Sequence, residues 1–415
     1  MIKLPDVLKP LIDALQNSGA NPVVVGGFIR DSILNKESKD IDIEVYNISG
    51  FDKMISVLKP FGSLNLVGKS FGVLKLDFKG YDIDFSLPRV EKKIASGHKG
   101  FSVLLDPKLT YKEAARRRDF TINSIGYEIK SGTLLDPYNG MDDLTNKVLA
   151  YVDKNTFIED PLRVFRAAQF CARFDLTCKM ELIELCRYLS DHDYITELPK
   201  ERIYDELKKL LLKSKKPSVG LNLFSDFNLI KYFPELSAIT NGFKYLDNMA
   251  KLKVGDSKTD MILMLSVLAF DFKRLQEVEC FLHKLLNEKI IMEEILNLYC
   301  HKEHLEHLSS KEISNYDIYL LSTKVNINYL LIINEAREKK YEEIKAKARE
   351  LNVLTCKPKP LLQGKDLISL GLHPSKKFSE ILDIAYDAQL RELFFTHDDA
   401  KSWLQNHLKE ISLYL

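Results

Sequence analysis

The chain predicts a small mixed α/β head followed by an elongated all-α remainder, and three observations carry that expectation. Residues 1 to about 130 interleave short β-branched runs with helix-like stretches. Beyond about Asp153 apolar residues recur at spacings of three and four, as in Leu162, Phe165, Phe170 and Phe174, which is the period of an amphipathic helix. Lys357-Pro358-Lys359-Pro360 then reads as a linker before a last helical segment, Leu361 to Leu415.

Taken in order, strands are expected at Val23–Val25, Ile41–Val45, Val73–Phe78 and Ile122–Tyr127, with a short helix between the first two. Glu201 to Leu212 is an amphipathic helix with Ile203, Leu207, Leu210 and Leu211 on one side. Lys213 to Pro217 is a basic break, and 220 to 345 reads as helix after helix with short polar joints. These changes divide the chain into a head (1–130), a neck (131–215), a body (216–350) and a tail (351–415).

Composition narrows the class. Hydrophobic residues at 45% and charged residues at 29% describe an ordinary globular protein. No apolar run reaches the ~18 residues a membrane span needs, and Met1 to Asp6 lacks the pattern of a secretion signal. The cysteines, at 171, 178, 186, 280, 300 and 356, form no Cys-x-x-Cys pair, so reduced thiols in a cytoplasmic protein are expected. A net charge of +1 neither requires nor excludes nucleic acid, because local clusters such as Arg116–Arg118 and Lys213–Lys216 matter more than the sum.

The chemistry concentrates first in Gly26-Gly27-Phe28-Ile29-Arg30-Asp31, followed by Asp40-Ile41-Asp42. Val23 to Val25 run into the glycine pair, and the order reads strand, glycine turn, helix, strand. Glycines let backbone amides approach a triphosphate, and Arg30 can add a charge-assisted contact. Asp40 and Asp42 project from one face of their strand. Such paired carboxylates repel unless a cation intervenes, and hard ions such as Mg²⁺ bind one or two carboxylates plus substrate phosphates. Either feature alone is usually a turn or a solvated strand end. Together, in this order, they point to phosphoryl or nucleotidyl transfer.

Two further blocks follow. Arg116-Arg117-Arg118-Asp119-Phe120-Thr121-Ile122-Asn123 offers guanidinium forks for triphosphate or RNA phosphates, or else a basic helix end paired with carboxylates. Glu159-Asp160-Pro161-Leu162-Arg163-Val164-Phe165-Arg166 has the form of a helix start. Asp160 and Arg163, three apart on one helix surface, would also set an acceptor beside a donor. Cytosine and adenine both present an exocyclic amine next to a ring-nitrogen acceptor. Uracil and guanine would turn a carbonyl toward the carboxylate, so this pair predicts C and A over U and G.

The ordered set GGFIRD, DID, LPRVEKK, RRRDFTIN, EDPLRVFRAAQF and ERIYDEL resembles the class II CCA-adding tRNA nucleotidyltransferases and the related bacterial poly(A) polymerases. It spans about the first 210 residues, and LQGKDL with Phe394 to Leu404 extends it into the tail. The resemblance implies a nucleotidyltransferase head on an all-α neck, body and tail, adding C, C and A to tRNA 3′ ends from CTP and ATP without a template. It implies that Gly26, Gly27 and Arg30 contact the nucleotide and that Asp40 and Asp42 hold Mg²⁺, two ions being expected. Arg118 would bind phosphates or sugar, Asp160 and Arg163 would read the base, and Arg166 would support the pocket. Asp82 is the preferred third catalytic carboxylate, with Asp84 second. Leu87 to Lys112 resembles the flexible loop needed to add the terminal A. Gln169 departs from the pattern, since many relatives carry arginine there. The implied partners are the acceptor end and T arm of tRNA; no membrane and no obligatory protein partner is expected.

Alternatives within the family are an A-adding or CC-adding partial enzyme, or a poly(A) polymerase; outside it, a non-catalytic RNA-binding module. Arg89, Glu91, His98 and Phe101 argue against a CC-only enzyme, and the paired carboxylates argue against a binding module. His301, His304 and His307 rotate around their helix without a completing ligand, so no zinc site is expected. The pairs His192-Asp193 and His397-Asp398 lack partner histidines for a phosphohydrolase centre.

Overall fold

Alternation along one strand organises the N-terminal part of the chain. In β2 (Asp40–Tyr46), Ile41, Ile43 and Val45 are buried on one face, whereas Asp40, Asp42 and Glu44 share the other. The apolar face packs on α1 (Lys9–Asn17) and α3 (Phe51–Leu58) through Leu11, Leu15, Met54 and Leu58. The computed structural model describes residues 2–67, 72–93, 101–241, 243–374 and 377–414, and the chain divides into two units, Met1–Pro234 and Glu235–Leu415.

In the first unit β2 lies in a seven-stranded sheet of order β3-β4-β5-β2-β1-β8-β9. The other strands are β1 (Asn21–Val25), β3 (Leu64–Val67), β4 (Val73–Phe78), β5 (Tyr81–Ser86), β8 (Gly126–Glu128) and β9 (Thr133–Leu135). Only β2 and β5 run parallel in it, with Asp40 opposite Asp82 and Asp42 opposite Asp84. The strands expected at 23–25, 41–45 and 73–78 are present. The fourth expectation needs correction: Thr121–Asn123 is a 3₁₀ turn, and the strand starts at Gly126. Local bonds explain it, since Ser124 Oγ donates to the Thr121 carbonyl (2.7 Å) and Thr121 Oγ1 to Asp143 Oδ2 (2.6 Å). Such contacts compete with a sheet ladder.

Of the stretch from Leu87 to Lys112, residues 94–100, including His98, lie outside the described residues. Its flanks form an antiparallel pair, β6 (Arg89–Lys93) with β7 (Phe101–Leu105), and α4 (Tyr111–Ala115) follows behind a Thr110–Glu113 capping box.

Helices complete this unit: α2 (Gly27–Ile33) after the glycine turn, then α5 (Gly140–Thr145), α6 (Lys154–Glu159), α7 (Arg163–Phe174), α8 (Met180–Asp191), α9 (Lys200–Lys213) and α10 (Pro217–Asp226). α7 is its hub, burying Phe165, Phe170, Cys171 and Phe174. α10 reaches it closely because residue 220 is glycine: a Cβ there would stand 2.6 Å from the Ala168 carbonyl oxygen. Lys213 to Pro217 does break the helices, α9 ending at Lys213 and α10 starting at Pro217.

The second unit is helical throughout its described elements. Ser257–Ala269 is apolar on every side and buried from Asp260 onward, as a central helix must be. From Leu361 a smaller core gathers Leu362, Leu367, Ile381, Ala385, Phe394 and Leu404. No described helix is long and apolar enough to cross a membrane.

Candidate active site

The site grows from the join of β1 and α2. Gly26 has φ +74° and ψ −139°, a conformation open in practice to glycine alone. A Cβ there would also stand 3.2 Å from Asp42 Oδ2 and 3.3 Å from Arg118 Nη1. The second glycine is less constrained: a Cβ on Gly27 would make ordinary contact with Arg30 Nη2 at 3.5 Å. Gly26 is therefore what brings bare backbone against Asp42 and Arg118.

Asp40 and Asp42 share the sheet face away from the core, and β5 adds Asp82 and Asp84 beside them. A cavity of about 520 Å³ opens there, lined by Asp40, Asp42, Asn65, Lys75, Asp82 and Asp84 among others. Partial desolvation by the walls of this cavity pushes the Asp42 carboxyl above its ordinary pKa; Arg118 opposes the shift, and Asp84, Glu44 and Asp40 add to it. Of the two third-acid candidates, Asp82 stands opposite Asp40 and Asp84 opposite Asp42, whose upward shift Asp84 adds to. Lys75 Nζ already stands 3.1 Å from Asp84 Oδ2.

Glu44, two residues beyond Asp42 on the same face, is fully buried. It accepts from Arg117 Nη2 (2.6 Å), Arg118 Nη2 (3.1 Å) and Tyr46 Oη (2.9 Å). Burial works against its charge, but Arg118 and Arg117 outweigh it and hold the carboxyl below its usual range. Glu44 was not singled out from the sequence, although the two-residue period that pairs Asp40 with Asp42 points to it as well. It holds Arg118 with Nη1 toward the glycine turn, and Arg118 Nε is buried without a hydrogen-bond partner among the described residues.

Other expected site residues turn inward. Arg30 is 4% exposed; Nε and Nη2 donate to Asp31 Oδ1 at 2.8 and 2.7 Å, and Nη1 donates to Asn123 Oδ1 at 2.6 Å. It braces α2 rather than reaching the open face. Asp160 lies outside α7, in the turn after α6, where it accepts from Leu162 N and Arg202 Nη2, each at 3.2 Å. Arg163 does open α7, and Nη1 and Nη2 donate to the carbonyls of Thr156 and Arg117, both at 2.7 Å. Arg166 Nε donates to Asp119 Oδ2 (2.8 Å), and its Nη1 stands 3.6 Å from Glu206 Oε1. Gln169 is buried on α7, with Nε2 unpartnered among the described residues.

Asp119 ties these groups together. Its Oδ1 accepts from Phe120 N (2.8 Å) and Asn123 Nδ2 (2.9 Å) while Oδ2 holds Arg166. Burial would raise its pKa, but Arg166, Arg163 and the Asn123 bond bring it down to about 2. A continuous chain results, Asp31–Arg30–Asn123–Asp119–Arg166–Glu206, from the glycine-turn helix to α7 and α9.

Donor chemistry suits a hard divalent cation, carboxylate oxygens on one open face whose mutual repulsion a cation would relieve. Among the described residues no group of three or more His, Cys, Asp or Glu side chains is set at metal-binding spacing. The fit is thus to one or two carboxylates completed by substrate phosphates, not to an all-protein cage.

Residues 23–150 match the family model described as the poly A polymerase head domain, and residues 181–240 match a probable RNA and SrmB-binding site of polymerase A. These two stretches therefore match domains of the poly(A) polymerase family. The stretch matched as a head domain contains the glycine turn, the acidic row and the Arg116–Arg118 block. Among curated relatives, the Multifunctional CCA protein of Chromobacterium violaceum is 34% identical over 233 residues, 56% of this chain and 55% of the relative. The protein of the same name from Stenotrophomonas maltophilia is 36% identical over 220 residues, 52% of each. The matched part spans about half the length of these relatives. Among solved structures, the Bacillus stearothermophilus CCA-adding enzyme in complex with CTP is 18% identical with a TM-score of 0.75, covering 99% of this chain and 100% of the other. The Thermotoga maritima CCA-adding enzyme complexed with tRNA_CCA is 22% identical with a TM-score of 0.69, covering 98% and 97%. These two likenesses establish the fold.

Proposed function

We propose that this chain adds C, C and A to tRNA 3′ ends from CTP and ATP without a template. The observation that carries the reading is the contact of the Gly26 backbone with Asp42 and Arg118, an open acidic row beside a turn that only glycine can make. The names of the curated relatives, and the CTP and tRNA_CCA complexes of the structural neighbours, support the same substrates.

In the reaction the RNA 3′-oxygen bonds to the α-phosphorus of the nucleotide, the bond to pyrophosphate breaks, and the hydroxyl proton leaves to solvent. Asp40 and Asp42 would hold Mg²⁺, which supplies acidification of the hydroxyl and neutralisation of charge, two ions being the finer form of the proposal. Asp84 is the third acid we favour, ahead of Asp82. Arg118, held by Glu44 through Nη2 and with Nη1 beside the Gly26 turn, donates to the triphosphate there. Gly27 completes that turn. Asp160 and Arg163 read the base, which requires Asp160 to release Arg202 and Arg163 to release its carbonyls. Arg166 and Arg30 keep the pocket in place through Asp119 and Asn123. The functional divisions are a head (1–130), a neck (131–215), a body (216–350) and a tail (351–415), with body and tail engaging the acceptor and T arms.

The test is single-nucleotide extension of tRNA transcripts ending before the first C, after it and after the second. Addition of C, C and one A, then a stop, is expected. Unlimited A on any RNA would make the chain a poly(A) polymerase, the reading that the head-domain description favours. A alone on the CC-ended transcript would make it an A-adding specialist. Replacing Asp160 or Arg163 by Ala should admit UTP and GTP; continued rejection would remove their base-reading role.

A further inference from the structure

Three cations converge on one aromatic ring at the end of α7. Arg30 stands 4.2 Å from the Phe174 ring centroid, Lys36 Nζ 4.6 Å and Arg173 4.8 Å. Each contact is attractive, but the three like charges repel one another. Lys215, in the break between α9 and α10, adds a fourth charge: the Lys36 ammonium, partly desolvated where it sits over Phe174, is pushed below its ordinary pKa by that desolvation first, with Arg173, Arg30 and Lys215 adding and Asp31 opposing.

Internal compensation is thin. Asp31 faces the cluster, but its Oδ1 is engaged by two Arg30 donors at 2.7 and 2.8 Å. Asp175, next to Phe174, is paired with Lys147 at 3.0 Å. Among the described residues Lys36, Arg173 and Lys215 have no ion-pair partner, and Lys36, Lys215 and Lys216 are exposed. Surplus positive charge on a folded surface costs stability and is offset when a polyanion arrives.

We propose that Lys36, Arg173 and Lys215, with Lys216 beside them, form a docking surface for the phosphate backbone of the RNA substrate, at the end of α2 away from the Gly26 turn. The inference rests on the reading of this chain as an RNA-extending enzyme. It adds to it a surface joining the loop after α2, the end of α7 and the 213–217 break; Lys36 and Arg173 fall outside the RNA-binding stretch matched at 181–240. Phosphates are the fitting ligand because the cluster offers point charges and one stacked guanidinium, with no base-reading acceptor among them.

The test pairs binding with stability in the full chain. In the double variant Lys36→Gln, Lys215→Gln, tRNA affinity should fall about tenfold or more at low salt. The slope of log K against log salt should flatten by roughly 1.4–1.8, the loss of about two phosphate contacts. The thermal midpoint should stay level or rise, because repulsion is removed, and ATP affinity without RNA should be unchanged. A lysine pair that served only the fold would lower the midpoint and leave the slope alone. An unchanged slope overturns the proposal by itself; wild-type protein that bound no tRNA would overturn the reading beneath it as well.

Discussion

Two sets of carboxylates in the N-terminal unit differ in where their counter-charges lie. Asp119 has its partners inside the protein, in Arg166 and Asn123, and is held down to about 2. Asp42 has Asp84, Glu44 and Asp40 for neighbours, and enclosure with their charge pushes its carboxyl up despite Arg118. One group is complete in the folded chain and the other is not. A carboxylate raised on an open face is what the proposed cation would relieve; one lowered in the interior by its own partners holds the fold together.

The comparison can be broken most severely at Asp119. Replacing it by Ala leaves the Arg166 guanidinium without its main partner, and losing one member of a buried pair costs about 3–5 kcal/mol; urea unfolding followed by circular dichroism would measure it. The same residue sets an acid limit. Its folded pKa, about 2, lies below the usual ~3.9, so its contribution of about 2.5 kcal/mol is present above that unfolded value and fades as pH falls from about 4 toward 2. Asp119→Asn should flatten the stability profile in that window; an unaltered profile would separate Asp119 from the acid sensitivity. Smaller again is Gly26→Ala, about 1–3 kcal/mol from the backbone conformation, together with loss of nucleotide affinity as a methyl presses on Asp42 and Arg118. Gly27→Ala should be the mildest, within about 1 kcal/mol in thermal stability, since no positive φ or close contact requires glycine there.

How much of this was legible beforehand depended on the range of the interaction. The glycine turn, the two-residue alternation of Asp40 and Asp42 and the apolar stripe of α7 are local patterns, and each appears where its spacing puts it. Pairing of charges is not local. GGFIRD offers Arg30 as a phosphate ligand, yet its partner Asn123 lies 93 residues on, and Arg166 meets Asp119 across 47. Spacing puts Asp160 on the helix of Arg163, but α7 begins only at Arg163 and Asp160 is held by Arg202 in the turn before it. The strand expected at 122–127 lost its first residues to hydroxyl bonds among Thr121, Ser124 and Asp143, which apolar periodicity does not register.

The most direct measurement is extension of a tRNA transcript lacking its CCA end by wild-type protein and by Asp42→Asn, with tRNA affinity and melting recorded on the same samples. The account predicts that wild type adds C, C and A and stops. The variant should lose incorporation by about 10³-fold or more, the scale of several kcal/mol of lost charge stabilisation, while binding tRNA as before and melting at the same or a higher temperature. An Asp42→Asn protein that extended the transcript at the wild-type rate would contradict the assignment of the open acidic row to catalysis.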